Sequence, residues 1–452
     1  MATSGRLVLV PESPEWWVHR LWLRLMQRNE MVDFYENYYN GQHPLPWLSP
    51  RAEDEFREIL RMSRSNYCGL VIDAQVERMM VDGFRLGTPS RRGPGKPLER
   101  VQPTLLGKAP DSPAGDKASN PLEADDDTWR IWQSNSLDSE FDKALLEAAI
   151  SGMSYMLIVP NQDDPTTPTI TIEHATQAII EFKPGTNRRV VAAGLKVYDD
   201  DWTATVHAVL YLVENGELQV YKFKQNRPSG AVPYIPYSEL DRRLQLGQMI
   251  RPEWDVREVA GESWPAPGGA DENPMFELPN NPRLLTGGRS ELEDITDVQD
   301  RINKTLADRI ITQDYGAFPQ KWVSGWPNED AQGNVTPQIQ TGRDRIVSTE
   351  VVETQFGQWQ AAALDPYSNA KKEDVKDIAS RTRTPAQYLL GEMSNVNGQT
   401  LKASESGLVA KVRQRMRNID DPLERGMRFA RKIAGLPVPY GLVVETIWRN
   451  PE

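Results

Sequence analysis

Nine apolar residues near the C-terminus impose the strongest condition on this chain. Leu401, Leu408, Val412, Met416, Ile419, Leu423, Met427, Ala430 and Ile433 follow one another at steps of three, four and seven. Such steps keep them on one face of a helix over residues 399–436. A stripe of that length must lie along other elements to escape water. Pro422 lacks an amide hydrogen and is expected to kink this helix or split it. The same segment carries nine Lys or Arg against four Asp or Glu. Two readings of this basic face stay open: contact with nucleic acid, or contact with the acidic surface of a neighbouring copy.

Other helices follow from the same periodicity. Residues 14–39 read as one, with Ser13 as cap, Pro14 in the first turn, and Trp17, Leu21, Leu25 and Met26 on one face. Further helices are expected over Arg51–Met62, from Asn66 through Met79 and Met80 until Asp82-Gly83, and over Leu137–Ile150. Gly287-Gly288 lead into an expected capping box of Ser290 and Glu293. The stripe that follows is Leu292, Ile295, Val298, Ile302, Leu306 and Ile310. Asp297 with Arg301 and Asp300 with Lys304 are spaced for support within that helix. At 1.5 Å per residue it makes a rod of roughly 33 Å. A shorter helix is expected over Ser368–Arg381.

Between these helices the period drops to two. Tyr155–Val159, Thr169–Ile172, Val190–Tyr198 and Thr205–Val213 read as strands. Asn215-Gly216 sits between HAVLYLVE and ELQVYKF. A two-residue type I′ turn needs positive φ at both positions, and Asn-Gly supplies it. Residues 442–448 form a final strand. Residues 87–127 differ: twelve of 41 are Gly or Pro and none is aromatic. That composition predicts a long mobile insertion, ending in Asp125-Asp126-Asp127 as a solvated helix start. The fold class is therefore α+β, with antiparallel sheet beside long helices.

Composition sets limits on function. The 452 residues fit two or three ordinary domains or one elongated subunit. A net charge of −12 argues against coating nucleic acid with a basic surface, though not against DNA sliding past. Cys68 is the one cysteine, so an intrachain disulfide is excluded and a Cys-built zinc site is disfavoured. That pattern suits synthesis in a reducing cytoplasm. The longest apolar stretch, residues 148–159, is too short for a membrane span. The opening residues MATSGRLVLVPESPEWW lack the apolar core of a secretory signal.

No catalytic constellation emerges. His19, His43, His174 and His207 are not at metal-ligand spacing and read as isolated packing or surface groups. Gly95-Lys96 and Gly107-Lys108 lack the earlier glycine and the following Ser or Thr of a phosphate loop. Asp199-Asp200-Asp201 reads as a solvated turn. Glu291 with Asp294, or Asp297 with Asp300, share a helix face. They define a competing metal-dependent nuclease reading, which the salt-bridged context disfavours. No cofactor and no metal site is expected, and the chain does not read as an enzyme.

The order of these pieces resembles the portal proteins of tailed double-stranded DNA bacteriophages of the long-tailed siphovirus type. Four places carry the resemblance. Tyr38-Tyr39-Asn40-Gly41 precedes the Asn66–Phe84 segment. Trp132-Gln133-Ser134-Asn135-Ser136-Leu137-Asp138 leads through a helix to Gly152-Met153-Ser154-Tyr155. Gly288-Arg289-Ser290-Glu291-Leu292 precedes Gln299-Asp300-Arg301-Ile302-Asn303. Thr384-Pro385 and Leu389 precede Asn397-Gly398-Gln399-Thr400-Leu401-Lys402.

The resemblance implies a dodecameric ring at one capsid vertex of the virion, made in the host cytoplasm. Double-stranded DNA would pass along its axis, driven in by the terminase large subunit. A head-tail connector, the major capsid protein and a scaffold protein would be further partners. Residues 1–288 would be the wing, 289–313 and 360–383 the stem helices, and 314–359 the clip, with Trp322 and Trp326 facing partners. Residues 384–398 would be the tunnel loop, 399–436 would lead to a short crown, and 437–452 would return to the wing as a strand. Gln387, Tyr388, Leu389, Leu390, Gly391, Glu392, Met393, Ser394 and Asn395 would line the DNA channel. Lys371, Lys372, Lys376, Arg381 and Arg383 would touch phosphates or pair with the stem of the next subunit, and pairing is expected for at least two of the five. Twelve copies would carry a charge of about −144, and a like-charged bore lets DNA slide. Another structural subunit of a capsid or tail connector is the alternative.

Overall fold

The computed structural model describes residues 10–46, 50–87, 123–226, 254–284, 286–317, 321–325, 354–358, 360, 362–391 and 398–452. Its core is a stack of four layers. Helix α1 (Pro14–Tyr39) is the first, started by Ser13, whose hydroxyl accepts the Trp16 amide at 3.2 Å. Val18, Leu21, Trp22 and Leu25 press onto an antiparallel sheet. That sheet contains β5 (Ala178–Phe182), β6 (Val191–Asp200), β7 (Thr205–Glu214) and β8 (Glu217–Asn226). Short strands β9 (Asp255–Val256) and β10 (Ala266–Pro267) extend it beside β8. The β7–β8 turn has φ of 53° at Asn215 and 83° at Gly216, as the dipeptide predicted.

Period-two alternation divides each strand between two cores. In β7, Val206, Ala208, Leu210 and Leu212 face α1, whereas Val209 and Tyr211 face the third layer. That layer is the sheet β11–β3–β4, from β3 (Met153–Val159), β4 (Thr169–Glu173) and β11 (Met275–Pro279). Tyr155 and Leu157 of β3 meet β7, while Met156 and Ile158 point the other way. They meet the fourth layer, the C-terminal helix.

That helix runs over Gly398–Ile433. Leu408, Val412, Met416, Ile419, Leu423, Met427 and Ala430 of the predicted stripe are all buried. The helix is not split at Pro422, which lies within it. Burial of residues on both sides of the proline outweighs the one missing hydrogen bond. Final strand β14 (Val443–Trp448) pairs antiparallel with β1 (Val81–Gly87), which pairs in turn with β2 (Glu123–Ala124).

Several boundaries differ from the sequence reading. After α2 (Pro50–Met62), helix α3 is Tyr67–Val76, so Met79 and Met80 lie beyond it and Asp82-Gly83 lie in β1. Two strand partners contributed by distant segments outweigh local helix periodicity there. The predicted insertion is shorter at its end: residues 123–134 form β2 and α4 (Asp126–Ser134), while 88–122 lie outside the described residues. Asp126 and Asp127 occupy the first turn of α4, as expected. Asp125 does not stay solvated: it is buried and paired with Arg431 Nη1 at 2.6 Å. Asp200 closes a turn by accepting the amides of Trp202 and Thr203, which agrees with the solvated-turn reading of the aspartate run.

Helix α5 (Leu137–Ser151) leads into β3. Helix α6 (Thr296–Ala317) begins seven residues after Arg289, because residues 291–295 form turns. The expected capping box does not form. Ser290 Oγ accepts the Leu292 amide at 3.0 Å, and Glu293 pairs with Arg289. Helix α7 is Asp365–Thr382, and α8 (Ala386–Leu390) occupies part of the segment read as a loop. The C-terminal helix Gly398–Ile433 is α9. The α+β class stands.

Candidate functional site

Several of the segments that carried the resemblance come together around α6. Tyr38, at the end of α1, donates its hydroxyl to Asp300 Oδ2 at 2.8 Å. Buried Gln299 accepts the Tyr67 amide at 3.0 Å and donates to the Ser65 carbonyl at 2.6 Å. Buried Asn303 accepts the Ser65 amide at 3.1 Å and faces His43 Nδ1 at 3.1 Å. His43 Nε2 lies 3.1 Å from the Tyr38 carbonyl, so it carries the proton and Nδ1 accepts from Asn303. Burial lowers the His43 pKa and keeps this ring neutral. The polar residues of α6 thus hold the entry to α3 by satisfying its backbone.

A second seam joins the end of α5 to the approach to α6. Gly152 has φ of 93° and ends α5. Its carbonyl accepts the Asn280 amide at 2.9 Å, the Arg289 amide reaches the Asn280 carbonyl at 2.7 Å, and the Glu291 amide reaches the Ala149 carbonyl at 3.0 Å. These bonds need Gly288: a Cβ there would stand 1.7 Å from the Gly152 oxygen.

Glu291 then turns inward between two cations of α9. It lies 2.9 Å from Lys411 Nζ and 2.5 Å from Arg415 Nε, and it accepts Asn280 Nδ2 at 3.0 Å. All three charged groups are buried. Burial alone would raise the Glu291 pKa, but the two cations pull it down to about 2. Lys411 also donates to the Thr382 carbonyl at the end of α7 (3.1 Å).

Helices α6 and α7 pack antiparallel. Arg301 lies 2.8 Å from Asp374 and 3.3 Å from Asp377, and further along Thr312 reaches the Tyr367 hydroxyl at 3.3 Å. Val298, Ile302, Val375 and Ile378 fill the space between. The predicted pairs Asp297/Arg301 and Asp300/Lys304 do not form. Arg301 turns to α7, Asp300 is taken by Tyr38, and Lys304 pairs with Asp308.

Of the five predicted cations, Lys376 pairs with Glu373 at 2.8 Å and Arg381 with Asp377 at 3.0 Å, both within their own helix. Lys371 lies 5.7 Å from the centre of the Tyr67 ring. Lys372 is engaged elsewhere. Arg383, at φ 57° just past α7, is exposed and makes no side-chain hydrogen bond or ion pair among the described residues.

The loop residues divide. Leu389 is buried against α3 and α7, with Leu390 partly buried beside it. Gln387 reaches Ser404 at 3.4 Å. Tyr388 is held from two sides: Arg78 Nη2 donates to its hydroxyl at 2.9 Å, and that hydroxyl donates to Glu405. The Arg78 guanidinium also lies 5.4 Å from the ring centre. Gly391 has φ of 64° and ends α8. Glu392, Met393, Ser394 and Asn395 lie outside the described residues. In the 314–359 segment, β12 (Lys321–Ser324) pairs with β13 (Gln355–Gln358). Trp322 is 38% exposed there and lies over Gly357, where any Cβ would meet its ring at 2.4 Å. Trp326 lies outside the described residues.

Part of the basic face of α9 is paired within the chain. Lys411 and Arg415 pair with Glu291, Arg431 with Asp125, Lys432 with Asp271, and Arg413 with Glu452. Most of its charge is matched within the chain. Arg78, Glu405, Glu291 and Lys411 were not singled out for these roles. Their partners are too remote in sequence for periodicity to show them.

The histidines are not all isolated. His174 Nε2 lies 2.7 Å from Glu36 Oε1 and 2.9 Å from Glu147 Oε2, joining α1, α5 and the β4–β5 turn. Among the described residues this is the one group of three with metal-ligand proximity, and the acids of α6 are not in it. Thr176 serves Nδ1, with its amide at 3.1 Å and its hydroxyl at 2.7 Å. Burial lowers the His174 pKa, yet the hydrogen bonds and charges of Glu147 and Glu36 outweigh it and raise the value above 6.5. A raised folded pKa stabilises fully below the unfolded value and is lost as pH rises through the folded one. His174→Gln is therefore expected to lower stability by ~1 kcal/mol at pH 6, with the difference from wild type shrinking by pH 9. Denaturant midpoints at both pH values measure it, and a constant gap would refute the ion bridge.

Comparison with known proteins accords with this architecture. Residues 24–437 match the family described as "Phage portal protein, SPP1 Gp6-like". The portal protein of Mycobacterium phage D29 is 26% identical over 450 residues, which cover 94% of this chain and 78% of that protein. The portal protein of Mycobacterium phage L5 is 25% identical over 452 residues with the same coverage of both chains. With nearly the whole chain matched, this protein belongs to the SPP1 Gp6-like family of phage portal proteins.

Proposed function

We propose that about twelve copies of this chain close into a ring at one capsid vertex, forming the channel for DNA packaging and ejection. As a portal protein the chain is a structural virion component. The observation that carries the reading is the match over residues 24–437. It is supported by the antiparallel α6–α7 pair, suited to serve as the stem, and by its packing on α1, α3 and the end of α5. In this reading residues 314–359 receive the terminase large subunit and then the head-tail connector, with Trp322 and Trp326 in the contact. The wing faces the major capsid protein and, during assembly, a scaffold protein. The segment 384–398 meets DNA. End-on class averages from electron microscopy of the purified protein test the ring. A closed assembly of about twelve around an open channel is expected. A closed assembly without an axial channel would favour another structural subunit.

Within this reading α8 acts as the fixed base of the DNA-facing loop. Arg78 and Glu405 tie down Tyr388, which stays partly exposed. Tyr388→Phe removes both hydroxyl contacts and keeps the ring. Amides 386–391 are expected to exchange about threefold faster or more, with rings intact and DNA packaging or retention impaired. Unchanged exchange together with normal packaging would remove this role.

A further inference from the structure

A cavity of about 260 Å³ opens between the 289–295 turns, the end of α7 and the middle of α9. Arg289, Arg381, Arg383, Lys411 and Arg415 line it, against two carboxylates, Glu291 and Asp294. Its deepest wall holds two buried cations, Lys411 and Arg415, and one buried anion, Glu291. One carboxylate cannot neutralise two cations, and buried charge without a counter-charge is costly. The oxygens of Glu291 are already occupied by Lys411, Arg415 and Asn280. At the rim, Arg289 and Arg381 are matched by Glu293 and Asp377, but Arg383 has no partner among the described residues.

We infer that this cavity is a binding site for a phosphate group, held by the exposed Arg383 fork at the rim and the excess positive charge of Lys411 and Arg415 within. Arginine forks match the oxygens of a phosphate two at a time. The field of the cavity agrees. Burial pushes the Lys411 pKa down, and although Glu291 opposes this, Arg415 and Arg383 add to it. An entering dianion would relieve both.

The phosphate can come from inorganic phosphate or from a DNA backbone, and only the second source rests on the portal reading. Equilibrium dialysis of the full-length protein with radiolabelled inorganic phosphate, at fixed ionic strength in chloride buffer, tests the site. About one phosphate per chain is expected to bind saturably. Arg383→Ala, at an exposed position, is expected to weaken binding on the order of tenfold. Arg417→Ala, whose side chain bonds only its own helix at the Arg413 carbonyl among the described contacts, is expected to leave it unchanged. Adding a short DNA duplex at the same ionic strength separates the sources. Displacement of phosphate identifies the DNA backbone, and undisturbed binding identifies the free ion. Absence of saturable binding, or equal loss in the two variants, overturns the site. Because this readout needs no ring, its failure would leave the portal reading intact.

Discussion

Gly288→Ala is expected to cost about 3 kcal/mol or more, or to prevent folding. The reason is purely steric. Gly288 does not have a positive φ, so its backbone shape is open to alanine. The added Cβ would lie 1.7 Å from the Gly152 oxygen, 2.8 Å from the Gly152 carbonyl carbon and 2.9 Å from the Asn280 nitrogen. These are backbone atoms and cannot swing aside. Gly152 itself is fixed, since a Cβ on it would come within 3.0 Å of the Arg289 backbone. The seam must therefore open, breaking the Asn280–Gly152 and Arg289–Asn280 hydrogen bonds that place the approach to α6. Gly391→Ala is the control. It has φ of 64° with nothing within 4 Å of the added carbon, so it costs only about 1 kcal/mol of backbone strain. Denaturant unfolding of both variants makes the comparison, and equal midpoints would mean that the 152/288 contact is not close.

Glu291→Gln is the second large effect, expected at ~3–5 kcal/mol. It leaves Lys411 and Arg415 buried with no counter-charge, and their other partners, the Thr382 carbonyl and Asn281 Oδ1, are neutral. The acid limb of the wild-type stability curve carries the same information. The Glu291 pKa is depressed to about 2 from 4.5, so its contribution is complete above 4.5 and is lost as pH falls towards 2. The Gln variant is expected to lack that loss between pH 4.5 and 2. A triple variant, Glu291→Leu with Lys411→Met and Arg415→Met, is expected to regain most of the stability. Well-packed apolar groups often replace a buried ion cluster at little cost. A triple variant no more stable than Glu291→Gln would argue that hydrogen-bond geometry, rather than charge balance, holds this junction.

Much of the fold follows from short-range pattern. The apolar spacing from Leu408 to Ala430 dictated a long helix buried on one face, because 3.6-residue geometry leaves no other way to align those side chains. Asn215-Gly216 dictated its hairpin, since both residues tolerate positive φ. The family resemblance rested likewise on segments readable in order along the chain, as did the absence of any linked catalytic motif.

What lay beyond the sequence was every decision made by contacts between distant segments. Met79 and Met80, read as the end of a helix, lie beyond it, and the strand Val81–Gly87 follows because β14 and β2 offer it partners. Asp300, spaced to pair with Lys304, is instead taken by Tyr38, 262 residues away. Tyr388, in the segment read as a loop, is held by Arg78, 310 residues away, and by Glu405. Arg415, one cation of a basic helix face, is buried on Glu291 at a separation of 124 residues. A local preference of a few tenths of a kcal/mol is outweighed by such contacts between distant segments, most of all by the buried Arg415–Glu291 pair. The sequence by itself determined the long helices, the hairpin and the family. Only the tertiary structure decided which charges are buried, and that choice leaves Arg383 and the cavity beside it open to a ligand.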